Sequence, residues 1–479
     1  MALRPASRSR AEDAQAPPFP SGAWVHDALL AGDPGAPCLL LGRSPVTRGE
    51  LTCLVDKQQH LLELSGLRPR GSVALQLPPS VEYIATLLAA WRAGAQVSLL
   101  DHRLVRREVD NALERLAPQI VVTARSATAA PMAGYARVVA EATERAGGRP
   151  AATPHVLIQL SSGSTGPSKI IARTAADLTG ELGRYAQLDE YPKRGERIVL
   201  LASIVHVLGL VGGLLHGLHA GVQLAFPDRL TADGIRDAVA IGAEPAMVLG
   251  VPFHAELLTA GGSPLPQLSR MVVAGELIRP WLPGAFTARY GVPLGTMYGM
   301  TELGVIATDL DGRHHPGVAP APGMSLRVSD GELLVKMPAS PYIGLVDDTR
   351  WVDGWLRTRD AATIDQATGL VTILGRLDSQ ISVGGLKVDL TEVEQTLCAL
   401  PQVDSAVVTY GTVIEAYLVL RAGASVSDVE SALADQLAPY KRPRELHVLD
   451  RLPRTATGKI SRDRTVLGAA AGTSPAVGP

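Results

Sequence analysis

Between residues 21 and 375, short apolar runs of strand length alternate with stretches whose apolar residues recur at helical spacing. That rhythm restricts the chain to an α/β body. Buried strands are expected at His155–Leu160, Ile198–Ala202, Met247–Val251 and Met271–Ala274. A helix follows the first of them: Thr174 and Asp177 stand at capping-box spacing, and Leu178, Leu182 and Tyr185 share one face. From 311 to 375 the texture changes to Gly-punctuated strands, such as Gly331–Lys336 and Gly369–Leu374, which implies a β-rich subdomain.

After Arg376 the pattern is that of a compact α+β unit. Thr391 and Glu394 can cap a helix bearing Val393, Leu397 and Leu400, and two strand-like runs flank Gly411. A second helix, capped by Ser427, carries Val429, Leu433 and Leu437. The expected organisation is a disordered tail over 1–20, a multi-subdomain body over 21–377, a small mobile α+β domain over 378–467 and a Gly/Ala/Ser/Pro tail over 468–479. The boundary falls at Leu377–Asp378.

At 479 residues the chain suits such a large body plus a smaller one. Aromatic residues make up only 4%, so the core must be built from Leu, Val, Ile and Ala. A net charge of −2 without long runs of one sign gives no reason to expect nucleic acid or an anionic membrane as partner. Cys38, Cys53 and Cys398 are far apart and form no C-x-x-C pair, which indicates neither a zinc site nor a disulfide framework. A cytoplasmic location fits best, and no window approaches the length of an apolar membrane span.

The chemistry begins directly after the His155–Leu160 run, at Ser161-Ser162-Gly163-Ser164-Thr165-Gly166-Pro167-Ser168-Lys169. Two glycines let backbone approach a polyanion closely, the hydroxyls offer donors and Lys169 adds positive charge. The spacing departs from G-x-x-x-x-G-K-[ST], so this is not a P-loop. Taken alone, the run reads equally well as a flexible Ser/Gly loop.

Its context decides between the two. The run resembles the phosphate loop of the adenylate-forming superfamily of acyl- and aryl-CoA synthetases, luciferases and peptide-synthetase adenylation domains. Further segments resembling that superfamily follow in order. They are Tyr298-Gly299-Met300-Thr301-Glu302, Gly354-Trp355-Leu356-Arg357-Thr358-Arg359-Asp360, Gly375-Arg376-Leu377-Asp378, Gly384-Gly385-Leu386-Lys387-Val388 and Pro453-Arg454-Thr455-Ala456-Thr457-Gly458-Lys459. Arg359 stands where the superfamily usually has glycine. The resemblance covers roughly residues 25 to 465.

The resemblance implies an ATP-dependent ligase that turns a carboxylic acid into an acyl-adenylate with release of pyrophosphate, then passes the acyl group on. It places Ser161, Ser162, Gly163, Ser164, Thr165, Gly166 and Lys169 around the β- and γ-phosphates. Thr301 would bond the α-phosphate and Glu302 would help hold Mg²⁺. Tyr298 would stack on adenine beside Gly275-Glu276-Leu277, and Asp360 and Arg376 would take the ribose hydroxyls. Lys459 would bridge α-phosphate and carboxylate, and Asp378 would be the hinge. Blander readings exist for each alone: Thr301 and Glu302 as a helix N-terminus, Asp360 as a turn residue, Lys459 as a solvated lysine and Asp378 as a linker.

For the acid pocket, Ser203–Leu210 resembles a segment in which amino-acid-activating members carry an Asp after the aromatic or His position. Here His206 is followed by Val207, and an ammonium buried against valine is costly, so an aryl or other apolar acid is expected. Gly299 and Met300 would complete the pocket, while His206 could equally be a core-edge histidine. Ser382 replaces a lysine that many relatives carry in I-K-x-x-G. With the short length, this resembles stand-alone actinobacterial amide bond synthetases and acyl-AMP ligases of natural-product biosynthesis. The acceptor is therefore expected to be an amine, with the thiol of CoA or a carrier protein as the alternative. A catalytically silent nucleotide-binding relative would have no need of intact Lys169, Glu302 and Lys459. An α/β hydrolase is excluded by the lack of a G-x-S-x-G elbow.

Overall fold

Six mostly aliphatic parallel strands carry the large body. They lie in the order Pro37–Leu41, Gln223–Phe226, Arg197–Leu200, Ala246–Gly250, Leu268–Ala274 and Leu294–Met300. Alternate side chains leave opposite faces of such a sheet. Ile198, Leu200, Met247 and Leu249 enter one core with Leu178, Leu182 and Leu214, whereas Val199, Val248, Met271 and Val273 enter another with Ile235, Leu258 and Phe286. The computed structural model describes residues 22–128, 132–160, 169–278, 281–344, 348–376, 380–453, 461–462 and 464–473.

Each expected strand of the body is present, with ends shifted by a few residues: Leu157–Leu160, Arg197–Leu200, Ala246–Gly250 and Leu268–Ala274. Leu157–Leu160 belongs to a second sheet, between Gln96–Leu99 and the antiparallel Ile170–Arg173. The helix Ala175–Ala186 opens on the capping box of Thr174 and Asp177, as expected. The β-rich stretch is not a detached sheet. Gly304–Asp309 turns antiparallel on Leu294–Met300, and Gly317–Pro320, Val371–Arg376, Trp355–Ile364, Glu332–Lys336 and Leu326–Ser329 extend the same sheet.

The small C-terminal domain has a hairpin of Gln380–Val383 and Leu386–Asp389, then helix Leu390–Cys398, strands Val403–Tyr410 and Ile414–Leu420, helix Val426–Ala434 and strand Glu445–Val448. Its core joins Val393, Leu397, Val408, Leu418, Val429 and Leu433.

Three expectations are corrected here. The second helix is capped by Ser425, not Ser427, because Ser425 and Asp428 form a reciprocal capping box two residues earlier. The first begins at Leu390, so Thr391 lies inside it, and the Glu394 carboxylate instead accepts from Val408 N at 2.9 Å and from Arg462 at 2.6 and 2.9 Å. The run after Leu467 is not a tail from residue 468, since helix Arg464–Thr473 continues through it. Fully buried Leu467 anchors that helix beside Val407, Tyr417 and Leu449, with Ala470 and Ala471 packed alongside. Among the described residues no helix is long and apolar enough to cross a membrane.

Candidate active site

Parallel sheets leave a crevice at the carboxyl ends of their strands, where loops diverge. Here that crevice is a cavity of about 320 Å³. Residues at or just past four strand ends line it: Leu200–Ser203, Val251, Ala274–Gly275 and Met297–Thr301. His206, Val207 and Leu208, at the entry to the π-helical turn Leu208–Leu215, form another part of the wall. Tyr298, Gly299, Met300, Thr301, Gly275, His206 and Val207 thus line one cavity.

Two features suit a nucleotide base on one side of the cavity. Gly275 has φ +93°, and a Cβ built there would meet no atom within 4 Å, so this wall is bare backbone facing open space. Tyr298 stands on the neighbouring strand, and its hydroxyl donates to Asp360 Oδ2 at 2.5 Å. Asp360 is buried one layer behind the wall, with its backbone paired to Arg376 across the sheet. The neighbouring Arg359 has φ +63°, a left-handed conformation that glycine adopts without strain. Its backbone N–H donates to Glu332 Oε1 at 2.9 Å, which fixes the strand at that point.

Other predicted residues stand apart. Glu302 is buried behind the wall and its Oε1 accepts from the Tyr342 hydroxyl at 2.7 Å. Glu276 reaches the small domain, Leu277 is exposed and Lys169 is half-buried off the cavity wall. Ser161, Ser162, Gly163, Ser164, Thr165, Gly166, Asp378 and Lys459 lie outside the described residues.

On the far side the wall is mostly apolar. Among the described lining residues Glu181 is the one carboxylate, and it is already engaged: Arg173 Nη1 lies 2.6 Å from Oε2, and Val305 N donates to Oε1 at 3.1 Å. A Cβ on Gly304 would lie 2.0 Å from Glu181 Cδ, so this position accepts only glycine without rearrangement. No carboxylate stands at Val207.

The loop that follows strand Gln96–Leu99 was missed. Asp101, at the end of strand Gln96–Leu99, receives Arg103 through bonds of 2.9 and 2.6 Å, and Arg103 and His102 line the cavity. Burial opposes the charge on Asp101, but the Arg103 guanidinium holds its pKa down at about 2. His206 Nε2 lies 3.9 Å from Asp101 Oδ2. Its side chain is 40% exposed, facing the cavity, and desolvation there lowers its pKa to about 4. A charged triplet directly after a buried strand was the available signal for this loop.

The small domain closes the cavity with Gly384, Gly385, Leu386 and Lys387. Both glycines have positive φ, and a Cβ on Gly385 would lie 2.4 Å from Val251 Cγ1. Gly385 N donates to Glu276 Oε1 at 3.1 Å. Among the described residues neither Pro453 nor Ser461, which flank the Lys459 segment, lines the cavity.

Residues 27–340 match the AMP-binding enzyme family, and residues 392–459 match the AMP-binding enzyme C-terminal domain. The chain belongs to the AMP-binding enzyme family. It is an ATP-dependent, AMP-forming carboxylic acid ligase. It is 29% identical to an indoleacetate–CoA ligase of Aromatoleum aromaticum, covering 92% of this chain and 96% of that one. Its fold matches a variant of o-succinylbenzoate CoA synthetase from Bacillus subtilis with TM-score 0.77 at 22% identity, over 92% of this chain and 97% of the other. It matches the amide bond synthetase McbA of Marinactinospora thermotolerans with TM-score 0.75 at 21% identity, over 95% and 99%.

Proposed function

We propose that this AMP-binding enzyme activates an aryl or other apolar carboxylic acid and transfers its acyl group to the thiol of CoA. The observation that carries the reading is the single cavity shared by the bare Gly275 wall with Tyr298, the apolar Val207 side and the small-domain glycine hairpin. In the first step a carboxylate oxygen attacks the α-phosphorus of ATP, and pyrophosphate leaves with the electron pair of the broken P–O bond. Thr301 bonds the α-phosphate, Tyr298 packs on adenine, and Asp360 with Arg376 takes the ribose hydroxyls. Ser161–Lys169 cradles the outer phosphates. Lys459 offsets charge where the two anions meet, an effect worth roughly 10²–10³ in rate.

Glu302 is the carboxylate that would help hold Mg²⁺, an ion usually bound through one or two carboxylates plus substrate phosphates and water. When bound it neutralises phosphate charge.

In the second step the thiolate sulfur attacks the acyl carbonyl and AMP departs. We place the body at 21–377 and the mobile domain from 378 through helix Arg464–Thr473, with Asp378 as pivot. The orientation seen here, with the hairpin Gly384–Lys387 in the wall, is then the one for transfer. The CoA acceptor is supported by a relative aligned over 92% of this chain, an indoleacetate–CoA ligase.

An amine acceptor is the second reading. It is favoured by Ser382, which replaces a lysine common in relatives and whose buried Oγ has no hydrogen-bond partner among the described residues. The two separate by rate against acceptor concentration with enzyme-bound adenylate. Saturation by CoA, with only a linear, enzyme-independent reaction for amines, is expected. Saturation by an amine and none by CoA would transfer the assignment to amide formation.

A further inference from the structure

The loop that follows Asp101 is wall and dock at once. His102 and Arg103 line the cavity, while the next residues along the chain receive the small domain. The Arg103 guanidinium lies 5.7 Å from the centre of the Tyr440 ring. The adjacent Lys441 sends Nζ to Glu108 Oε1 of the body at 2.8 Å and to Glu392 Oε1 of its own domain at 3.0 Å. These groups are desolvated: the Lys441 side chain is 9% exposed and that of Glu108 11%. Burial alone would depress the lysine pKa, but the two carboxylates raise it above the ordinary range, so it stays charged.

A buried ammonium is tolerated only while it is paired. Glu392 travels with Lys441 on the small domain, whereas Glu108 belongs to the body. Swinging the small domain away would leave Lys441 with one partner and return Glu108 to water. The bridge therefore exists only in the orientation in which Gly384–Lys387 closes the cavity. Glu108 has a separate local duty as well, because its Oε2 accepts from Val105 N at 3.2 Å and caps helix Arg106–Leu116.

We propose that Glu108 is a positioning residue for acyl transfer: through Lys441 it latches the small domain onto the loop that carries His102 and Arg103. The inference rests on the two-step reading, in which the domain takes another orientation for adenylate formation. A contact made in one of two states shifts their balance by its differential free energy. Loss of the latch penalises only the step that uses the latched state.

The test is Glu108→Gln, which removes the charge but keeps an oxygen able to cap Val105 N. Transfer from enzyme-bound adenylate should fall about tenfold, while acid-dependent pyrophosphate exchange stays within about twofold of wild type. Lys441→Met should reproduce that split if Glu108→Gln folds poorly. A pair of fluorophores, one on each domain, should report a smaller closed fraction in the variant, a readout independent of turnover. Unchanged transfer, or equal loss in both half-reactions with unaltered closure, would overturn the latch. Absence of exchange in the wild type would instead defeat the two-step reading and leave the closure measurement to judge the latch.

Discussion

Val207 puts an isopropyl group on the cavity wall at the position where amino-acid-activating relatives place a carboxylate. The structure adds that the one carboxylate among the described lining residues, Glu181, is committed to Arg173 and Val305 N. An α-ammonium would therefore be desolvated without a partner. Aryl or alkyl acids should outcompete their α-amino counterparts by the worth of a charged hydrogen bond, about 1.5–3 kcal/mol. Specificity constants from acid-dependent exchange over matched pairs measure this. Val207→Asp should narrow the gap, and a wild-type preference for the amino acid would refute the assignment. Residues of this kind were legible because identity alone carries the argument. Arg359 shows the other case: the sequence flagged a replaced glycine, and only the backbone gave the reason, a φ of +63°.

At the scale of elements, the buried pair of Arg173 and Glu181 ties strand Ile170–Arg173 to helix Ala175–Ala186 and to the strand beginning at Gly304. Arg173 is 2% exposed and Glu181 0%, so removing one partner strands a charge in the interior. Glu181→Ala should cost about 3–5 kcal/mol in a denaturant melt. A loss near 1 kcal/mol would mean that water reaches the arginine. The helix itself was legible from Thr174 and Asp177, because capping is local. The π-helical Leu208–Leu215 was not, since its run of Leu, Gly and Val is apolar all round and has no periodicity to read. The continuity of the large sheet was also hidden, because pairing of Gly317–Pro320 with Val371–Arg376 joins residues distant in sequence. Ser425 lost to Ser427 for a smaller reason: each serine has an acid three residues on, Asp428 and Glu430, and only the structure shows that the first pair forms the box.

For the whole molecule, the order of motifs identified a large body and a small domain, and the elements agree. What the sequence could not supply was the meeting of the two, because the contacts of Gly385 with Glu276 and of Lys441 with Glu108 depend on a rigid-body placement. In the proposed reaction the cavity makes an acyl-adenylate from ATP and a carboxylic acid, with Lys459 serving that step. Exchange of labelled pyrophosphate into ATP, run over aryl, alkyl and amino acids with Mg²⁺ present, tests it most directly. Exchange should depend on an apolar acid and on Mg²⁺, and should fall roughly 10²–10³-fold in Lys459→Ala while ATP still binds. Folded protein that binds ATP but shows no exchange with any acid, or a Lys459→Ala variant that exchanges at the wild-type rate, would contradict it.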